Sequence, residues 1–157
     1  MIEVEINDAA WRSALPNAEA LTLSAAEAAA GRDSADIAIL LTDDHTVRDL
    51  NARFRQRDQP TNVLAFPAPR LPGAPLGDVA LAFGVCAAEA RAQRKPLADH
   101  LRHLVVHGVL HLLGYDHLTD EEAACMEARE RDLLAALHIP DPYADRAEQG
   151  DHVQHFP

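Results

Sequence analysis

The sequence has few of the features that mark a secreted, membrane-bound or generally nucleic-acid-binding protein. It contains two cysteines in 157 residues, and aromatic residues make up 4% of the chain. Cys86 and Cys125 form neither a C-x-x-C metal pair nor a disulfide framework, so we predict that both are small buried hydrophobic residues in a reducing compartment. No apolar run approaches the ~20 residues of a membrane span, and the start of the chain lacks the basic and apolar segments of a signal peptide. These absences predict a cytoplasmic protein without a membrane partner.

Positive charge is also scarce, because the formal net charge is −11. Such a charge argues against indiscriminate binding to phosphate backbones, and we expect no DNA partner. One segment differs: five arginines between Arg48 and Arg70 are accompanied only by Asp49 and Asp58. This segment is either a solvated helix face or a functional patch.

The apolar patterns predict strands in the first half of the chain and helices in the second. We predict an α+β domain over residues 1–140, with a roughly four-stranded mixed sheet backed by about five helices, and a mobile polar tail over 141–157. The predicted strands cover residues 1–7, 36–41, 62–66 and 77–83. The predicted helices cover residues 16–30, 45–54, 85–94, 97–113 and 119–137.

A cluster of histidines in the C-terminal helical part predicts a metal site. His100, His103, His107 and His111 share one stripe of a predicted helix, so their spacing alone does not identify the ligands. Gly114 can end that helix in the left-handed conformation and turn the chain, so that His117 faces the last helical turn. Three imidazoles with an open fourth position are typical of catalytic zinc. We therefore predict one Zn²⁺ per chain on His107, His111 and His117.

The remaining polar residues near this motif, and the other histidines, have simpler interpretations. Asp116 either orients a ligand or its water, or caps the turn. We interpret the others as follows: His45 and His138 as surface or satisfied core residues, His100 and His103 as solvent-facing or supporting residues, and His152 and His155 as part of the tail.

The stretch HGVLHLLGYDH places its histidines and glycine as in the zinc-protease pattern H-E-x-x-H-x-x-G-x-x-H, but Gly108 occupies the position of the general-base glutamate. A peptidase needs that carboxylate to handle the water proton. Cleavage of a phosphodiester instead needs stabilisation of charge on the non-bridging oxygens, for which the planar fork of arginine is suited. The motif therefore favours a phosphodiester substrate.

The same stretch resembles the signature of the YbeY family, which is H-G-x-L-H-L-x-G-Y-D-H. LNARFRQRDQPTNVLAFP, from Leu50 to Pro67, and LGDVALA, from Leu76 to Ala82, are similar to two further family segments, with Ala65 where serine is usual. The resemblance implies a single-strand-specific endoribonuclease that acts in maturation of the 3′ end of 16S ribosomal RNA and in ribosome quality control. It also implies zinc on His107, His111 and His117, with Arg55 as the active-site arginine, and single-stranded RNA and the small ribosomal subunit with its proteins as partners.

Two alternatives stay open at this point. The chain could be a non-enzymatic ribosome-assembly factor whose metal ties the last two helices together. It could also be a zinc peptidase that takes its base from elsewhere, although nothing in the sequence replaces the glutamate.

Overall fold

A computed structural model describes residues 1–31, 35–69 and 71–143. Within these residues the chain forms a four-stranded sheet and six helices, which confirms the predicted α+β class. The strands are β1 (Ile2–Ile6), β2 (Ile37–Thr42), β3 (Val63–Pro67) and β4 (Gly77–Ala82). The helices are α1 (Ala9–Ala14), α2 (Ala18–Ala30), α3 (Asp44–Arg55), α4 (Phe83–Ala92), α5 (Leu97–Leu112) and α6 (Asp120–Ala136).

The sheet is mixed, as predicted, and its strand order is β1-β2-β4-β3. Strands β1, β2 and β4 are parallel, with Ile39 opposite Val79, whereas β3 runs antiparallel to β4 with Val63 opposite Leu81. Strand β3 therefore lies at one edge of the sheet, next to the strand from which α4 begins.

The two faces of the sheet bury different sets of side chains, because successive strand residues point to opposite sides. Ile39 of β2 and Val79 of β4 belong to the larger hydrophobic core, with residues of α2 and α5. Leu64 and Ala80 join Val47 of α3 in a smaller cluster on the other face. Helix α5 therefore lies in the main core, and most of its residues are buried.

Helix α1 was absent from the sequence prediction. Its six residues are too few to show a helical period, although the side chain of Asp8 caps the first turn by accepting from the amide of Ala10. Its contribution is Trp11, which is fully buried and donates its indole N–H to the carbonyl oxygen of Thr42 at 3.0 Å. The helix thus anchors the chain over the end of β2.

The two cysteines have different environments. Cys86 is buried, as predicted, whereas Cys125 is exposed on α6, so the prediction that both are buried is wrong for Cys125. No helix in the described part of the chain is both long and apolar enough to cross a membrane. Residues 144–157, most of the predicted tail including His152 and His155, lie outside the described residues.

Helix α5 approaches the sheet closely at Gly108. A Cβ atom built on Gly108 would lie 2.8 Å from a methyl carbon of Val79 and 3.5 Å from one of Val63. Val79 is itself 1% exposed and stiff at its branched Cβ, so it has no free space to move into. Gly108 is therefore one point of close contact between the helix and the sheet.

We expect the substitution Gly108→Ala to destabilise the protein, although alanine favours a helix by up to ~1 kcal/mol over glycine. Overpacking a closed core costs about 1–3 kcal/mol, so after the gain in helix propensity we expect a net loss of up to about 2 kcal/mol in the free energy of unfolding, measured by denaturant titration. Ser24→Ala on the exposed face of α2 is the matched control and should be neutral or mildly stabilising. A Gly108→Ala protein as stable as the control would contradict the close packing.

Candidate metal centre

The end of helix α5 brings three histidines together. The helix ends at Leu112, and Gly114 follows with a φ of 104°, a left-handed conformation that glycine adopts without steric cost. The amide of Tyr115 donates to the carbonyl oxygen of Leu110 at 3.0 Å, which folds the chain back on the last turn. His117 then lies against the helix, with its ring stacked on that of His107 at 6.0 Å between centroids.

The nitrogen atoms of the three histidines form a compact set. One ring nitrogen from each of His107, His111 and His117 lies within 4.8 Å of the others. The Nε2 atoms of His107 and His111 are 3.1 Å apart. The Nε2 atom of His117 is buried and has no hydrogen-bond partner within the described residues. A buried nitrogen without a partner is costly unless something binds it.

This donor set fits a divalent metal ion. Tetrahedral zinc binds histidine nitrogen at about 2.0–2.1 Å, which sets neighbouring nitrogens roughly 3.3 Å apart. The separation of 3.1 Å between His107 and His111 is close to that value. The structure thus brings together the three residues that the sequence predicts as ligands.

A buried carboxylate, Glu130 of α6, supports the cluster and was missed by the sequence prediction. Its Oε1 atom lies 2.6 Å from Nδ1 of His107, and its Oε2 atom lies 2.9 Å from Nε2 of His103. The hydroxyl of Tyr143 also donates to Oε2, at 2.5 Å. Glu130 is 0% exposed, so these hydrogen bonds take the place of hydrogen bonds to water.

The protonation states in this network are set by burial and hydrogen bonding. Burial alone would raise the pKa of Glu130, but hydrogen bonds from His103 and His107 outweigh it and hold that pKa well below its usual range. Burial lowers the pKa of His103 and of His107, and their contacts with Glu130 offset that shift only in part. Glu130 is therefore ionised and accepts hydrogen bonds from two neutral imidazoles.

Burial and the two neighbouring histidines also lower the pKa of His111. Burial, followed by the proximity of His107 and His117, lowers the pKa of His111 to about 4. Near neutral pH its imidazole is uncharged and its lone pair is available. A neutral imidazole is the form that binds a metal ion.

The sequence contained a signal for Glu130. The buried residues of α6 are Met126, Glu130, Leu133 and Leu134, so the carboxylate occupies a position on the apolar stripe of that helix. A carboxylate at such a position needs a buried partner. The histidines facing it across the helix pair are that partner.

The other histidines of α5 are buried, so the prediction of solvent-facing side chains is wrong for them. His100 is 0% exposed and its Nε2 lies 2.9 Å from a carboxylate oxygen of Glu89, while His103 supports Glu130. His103 therefore takes the supporting role that the sequence left open, whereas the hydrogen bond of His100 is with Glu89 and not with Glu130. His45 and His138 are exposed, as predicted for surface residues.

Asp116 acts on the backbone of the turn. Its carboxylate accepts from the amide of His117 at 2.8 Å, which matches the capping alternative. It thereby fixes the segment that carries the third histidine.

Arg55 is the last residue of α3 and lies at the edge strand of the sheet. Its guanidinium donates to the carbonyl oxygen of Ala65 in β3 and lies 5.6 Å from the ring centroid of Phe66. It is exposed, and within the described residues its hydrogen bond and its ring contact are both with β3 and not with the histidines. Strand β3 connects it to α5, because Val63 packs beneath Gly108.

The two acidic residues of the arginine-rich segment each pair with an arginine. Arg48 pairs with Asp58 at 2.8 Å and Arg53 pairs with Asp49 at 3.2 Å, both on the surface. Arg70 lies outside the described residues. Surface pairs of this kind contribute little to stability.

Comparisons with known proteins identify the family of this chain. The family profile described as Endoribonuclease YbeY matches residues 3–138. A protein of Paramagnetospirillum magneticum named Endoribonuclease YbeY is 55% identical over an alignment that covers 92% of this chain and 96% of that protein. A protein of Azorhizobium caulinodans with the same name is 49% identical, with 94% of this chain and 98% of that protein covered.

A solved structure shows the same fold. The solution structure of a Thermotoga maritima protein, TM1509, superposes with a TM-score of 0.54 at 21% sequence identity, and covers 99% of this chain and 100% of that one. At this identity the likeness concerns the fold alone. The profile and the two close relatives, taken together, show that this chain belongs to the YbeY endoribonuclease family.

Proposed function

We propose that the protein is a zinc-dependent endoribonuclease that cuts single-stranded RNA and acts in ribosomal RNA maturation. The observation that carries this proposal is the three-histidine cluster, with a buried Nε2 of His117 that lacks a partner within the described residues, in a chain of the YbeY family. Its substrate would be presented by the small ribosomal subunit, because the net charge of −11 disfavours binding to any strand that it meets. We place this activity in the cytoplasm, where ribosomes are assembled.

His107, His111 and His117 would hold the ion. Bound zinc supplies a Lewis acid that makes water acidic enough to provide hydroxide near neutral pH. The chain contributes neutral ligands, because the pKa of His111 is lowered to about 4 and the pKa of His107 is also lowered. It also contributes a fixed ionised carboxylate, Glu130, behind His107.

Arg55 would stabilise negative charge on the phosphate in the transition state. Its guanidinium is exposed at the end of α3 and is oriented by Ala65 and Phe66. A group held in place before the reaction stabilises developing charge without the cost of ordering itself. Arginine also offers two parallel donors to a phosphate.

The position of Gly108 disfavours the peptidase alternative. A side chain at this residue would point at Val79 and Val63 in the sheet, not at the histidine cluster. Even a glutamate there could not serve as the general base without displacing the helix. A test of RNA cleavage distinguishes the nuclease from the assembly-factor alternative.

We expect protein purified without chelator to carry one divalent ion per chain, measured by elemental analysis. His117→Ala should lose that ion, because two imidazoles alone hold zinc weakly. His45→Ala, which removes an exposed histidine on α3, is the control and should retain it. Protein without stoichiometric metal would contradict the proposed centre.

We expect the metal-loaded protein to cut single-stranded RNA, to spare duplex RNA, and to lose this activity when the metal is chelated. The measurement is gel analysis of end-labelled RNA, with casein as a parallel substrate. Full metal occupancy without RNA cleavage would favour the assembly factor. Hydrolysis of casein would favour the peptidase.

We expect Arg55→Ala to lower the rate of RNA cleavage by about two to four orders of magnitude, the scale for loss of one preorganised transition-state group. Metal content should not change, and the loss of one surface hydrogen bond should cost about 1 kcal/mol or less. Lysine at this position should rescue activity only in part, because it lacks the planar fork.

Arg53→Ala is the matched control, because Arg53 is also exposed on α3 and pairs with Asp49. Its cleavage rate should stay close to that of the wild type. Equal rates for the Arg55→Ala and Arg53→Ala proteins would remove Arg55 from the reaction.

A further inference from the structure

We propose that Glu130 and Tyr143 are positioning residues, which together hold His107 with its Nε2 atom directed at the metal. This inference rests on the proposed metal centre and extends it to residues beyond the ligands. It makes the segment after α6 part of the site.

Glu130 fixes the tautomer of His107. Its Oε1 atom lies 2.6 Å from Nδ1 of His107, the distance of a hydrogen bond in which the ring donates its Nδ1 proton to the carboxylate. The lone pair is then on Nε2, which lies 3.1 Å from Nε2 of His111. Carboxylate–histidine–metal arrangements of this type orient the ring and raise its basicity as a ligand.

The other oxygen of the carboxylate is held just as firmly. Oε2 accepts from Nε2 of His103 at 2.9 Å and from the hydroxyl of Tyr143 at 2.5 Å. Because the donors come from both α5 and the segment after α6, the carboxylate cannot rotate without breaking a buried hydrogen bond. Glu130 therefore has one orientation toward His107.

Tyr143 is itself anchored. Its ring meets that of His103 edge to face at 5.8 Å, and the guanidinium of Arg131 lies 5.3 Å from its centroid. Asp141 pairs with Arg131 at 3.1 Å and accepts from the amide of Tyr143 at 2.8 Å. Residues 141–143 thus fold back along α6, with the hydroxyl of Tyr143 inserted at Glu130.

The chain turns back at His138, whose φ is 62°, and the amide of Ile139 donates to the carbonyl oxygen of Leu134 at 2.8 Å. Ile139 is buried in the main core. The predicted boundary after residue 140 would leave Tyr143 outside the domain, whereas the proposed role includes it.

The test is the affinity of the full chain for Zn²⁺, measured by competition with a chromophoric chelator, together with the visible absorption of bound Co²⁺. Glu130→Gln should weaken Zn²⁺ binding by about 10- to 100-fold, the usual cost of losing a partner that orients a ligand. It should also shift the Co²⁺ bands, because the charge behind His107 is lost.

Tyr143→Phe isolates the hydroxyl, because it keeps the ring contacts with His103 and Arg131. We expect a smaller loss of affinity, about two- to tenfold, with a Co²⁺ shift in the same direction. This variant keeps the proposal testable if Glu130→Gln does not fold. Tyr115→Phe is the control: its hydroxyl has no hydrogen bond in the part of the chain that the structure describes, so affinity should not change.

Zn²⁺ affinity and Co²⁺ spectra that match the wild type in Tyr143→Phe would overturn the role of Tyr143, and the same result in Glu130→Gln would overturn the whole proposal. Neither readout depends on RNA. A wild-type protein that binds the ion but does not cut RNA would therefore overturn the proposed function and leave the positioning role intact.

Discussion

The contact between Gly108 and the sheet determines how the rest of the site is arranged. A helix places successive side chains about 100° apart, so fixing one residue against the sheet fixes the direction of its neighbours. With Gly108 on Val79, the preceding His107 is directed at α6, where Glu130 lies. The histidine one turn later, His111, follows the same direction. The same contact occupies the position at which a zinc peptidase carries its base.

The site also depends on a buried negative charge that is surrounded by neutral side chains. Glu130 is ionised although it is fully buried, and the histidines around it are neutral. A buried charge without a counterion is costly, and the hydrogen bonds from His103, His107 and Tyr143 offset that cost. A divalent cation on the far side of His107 would provide the opposite charge through the imidazole. Ion binding and the stability of the folded chain are therefore coupled.

The sequence predicted the parts of the site that lie close together along the chain. The relative positions of the three histidines are determined locally, by the end of one helix and the turn after it. The spacing of His107, His111, Gly114 and His117 was therefore enough to predict them. The contact of Glu130 with His107 is made between two helices, and the packing of α5 on α6 is not contained in either local pattern. Helix α1 was missed because six residues carry less than two turns of periodicity. By contrast, the alternation of residues 1–7 and the short apolar segments 36–41, 62–66 and 77–83 were enough to predict all four strands.

Arg55 has a consequence for how molecules of this protein behave toward one another. Strand β3 lies at the margin of the sheet, where exposed backbone groups can recruit a strand from a second molecule and start aggregation. The guanidinium of Arg55 covers the carbonyl oxygen of Ala65, and Pro67 has no amide hydrogen to offer at the end of the strand. A positive charge at this sheet edge opposes strand addition in two ways. It occupies the carbonyl acceptor of Ala65, and it repels the same edge of a second molecule. Selection for colloidal stability and selection for chemistry would then act on the same side chain.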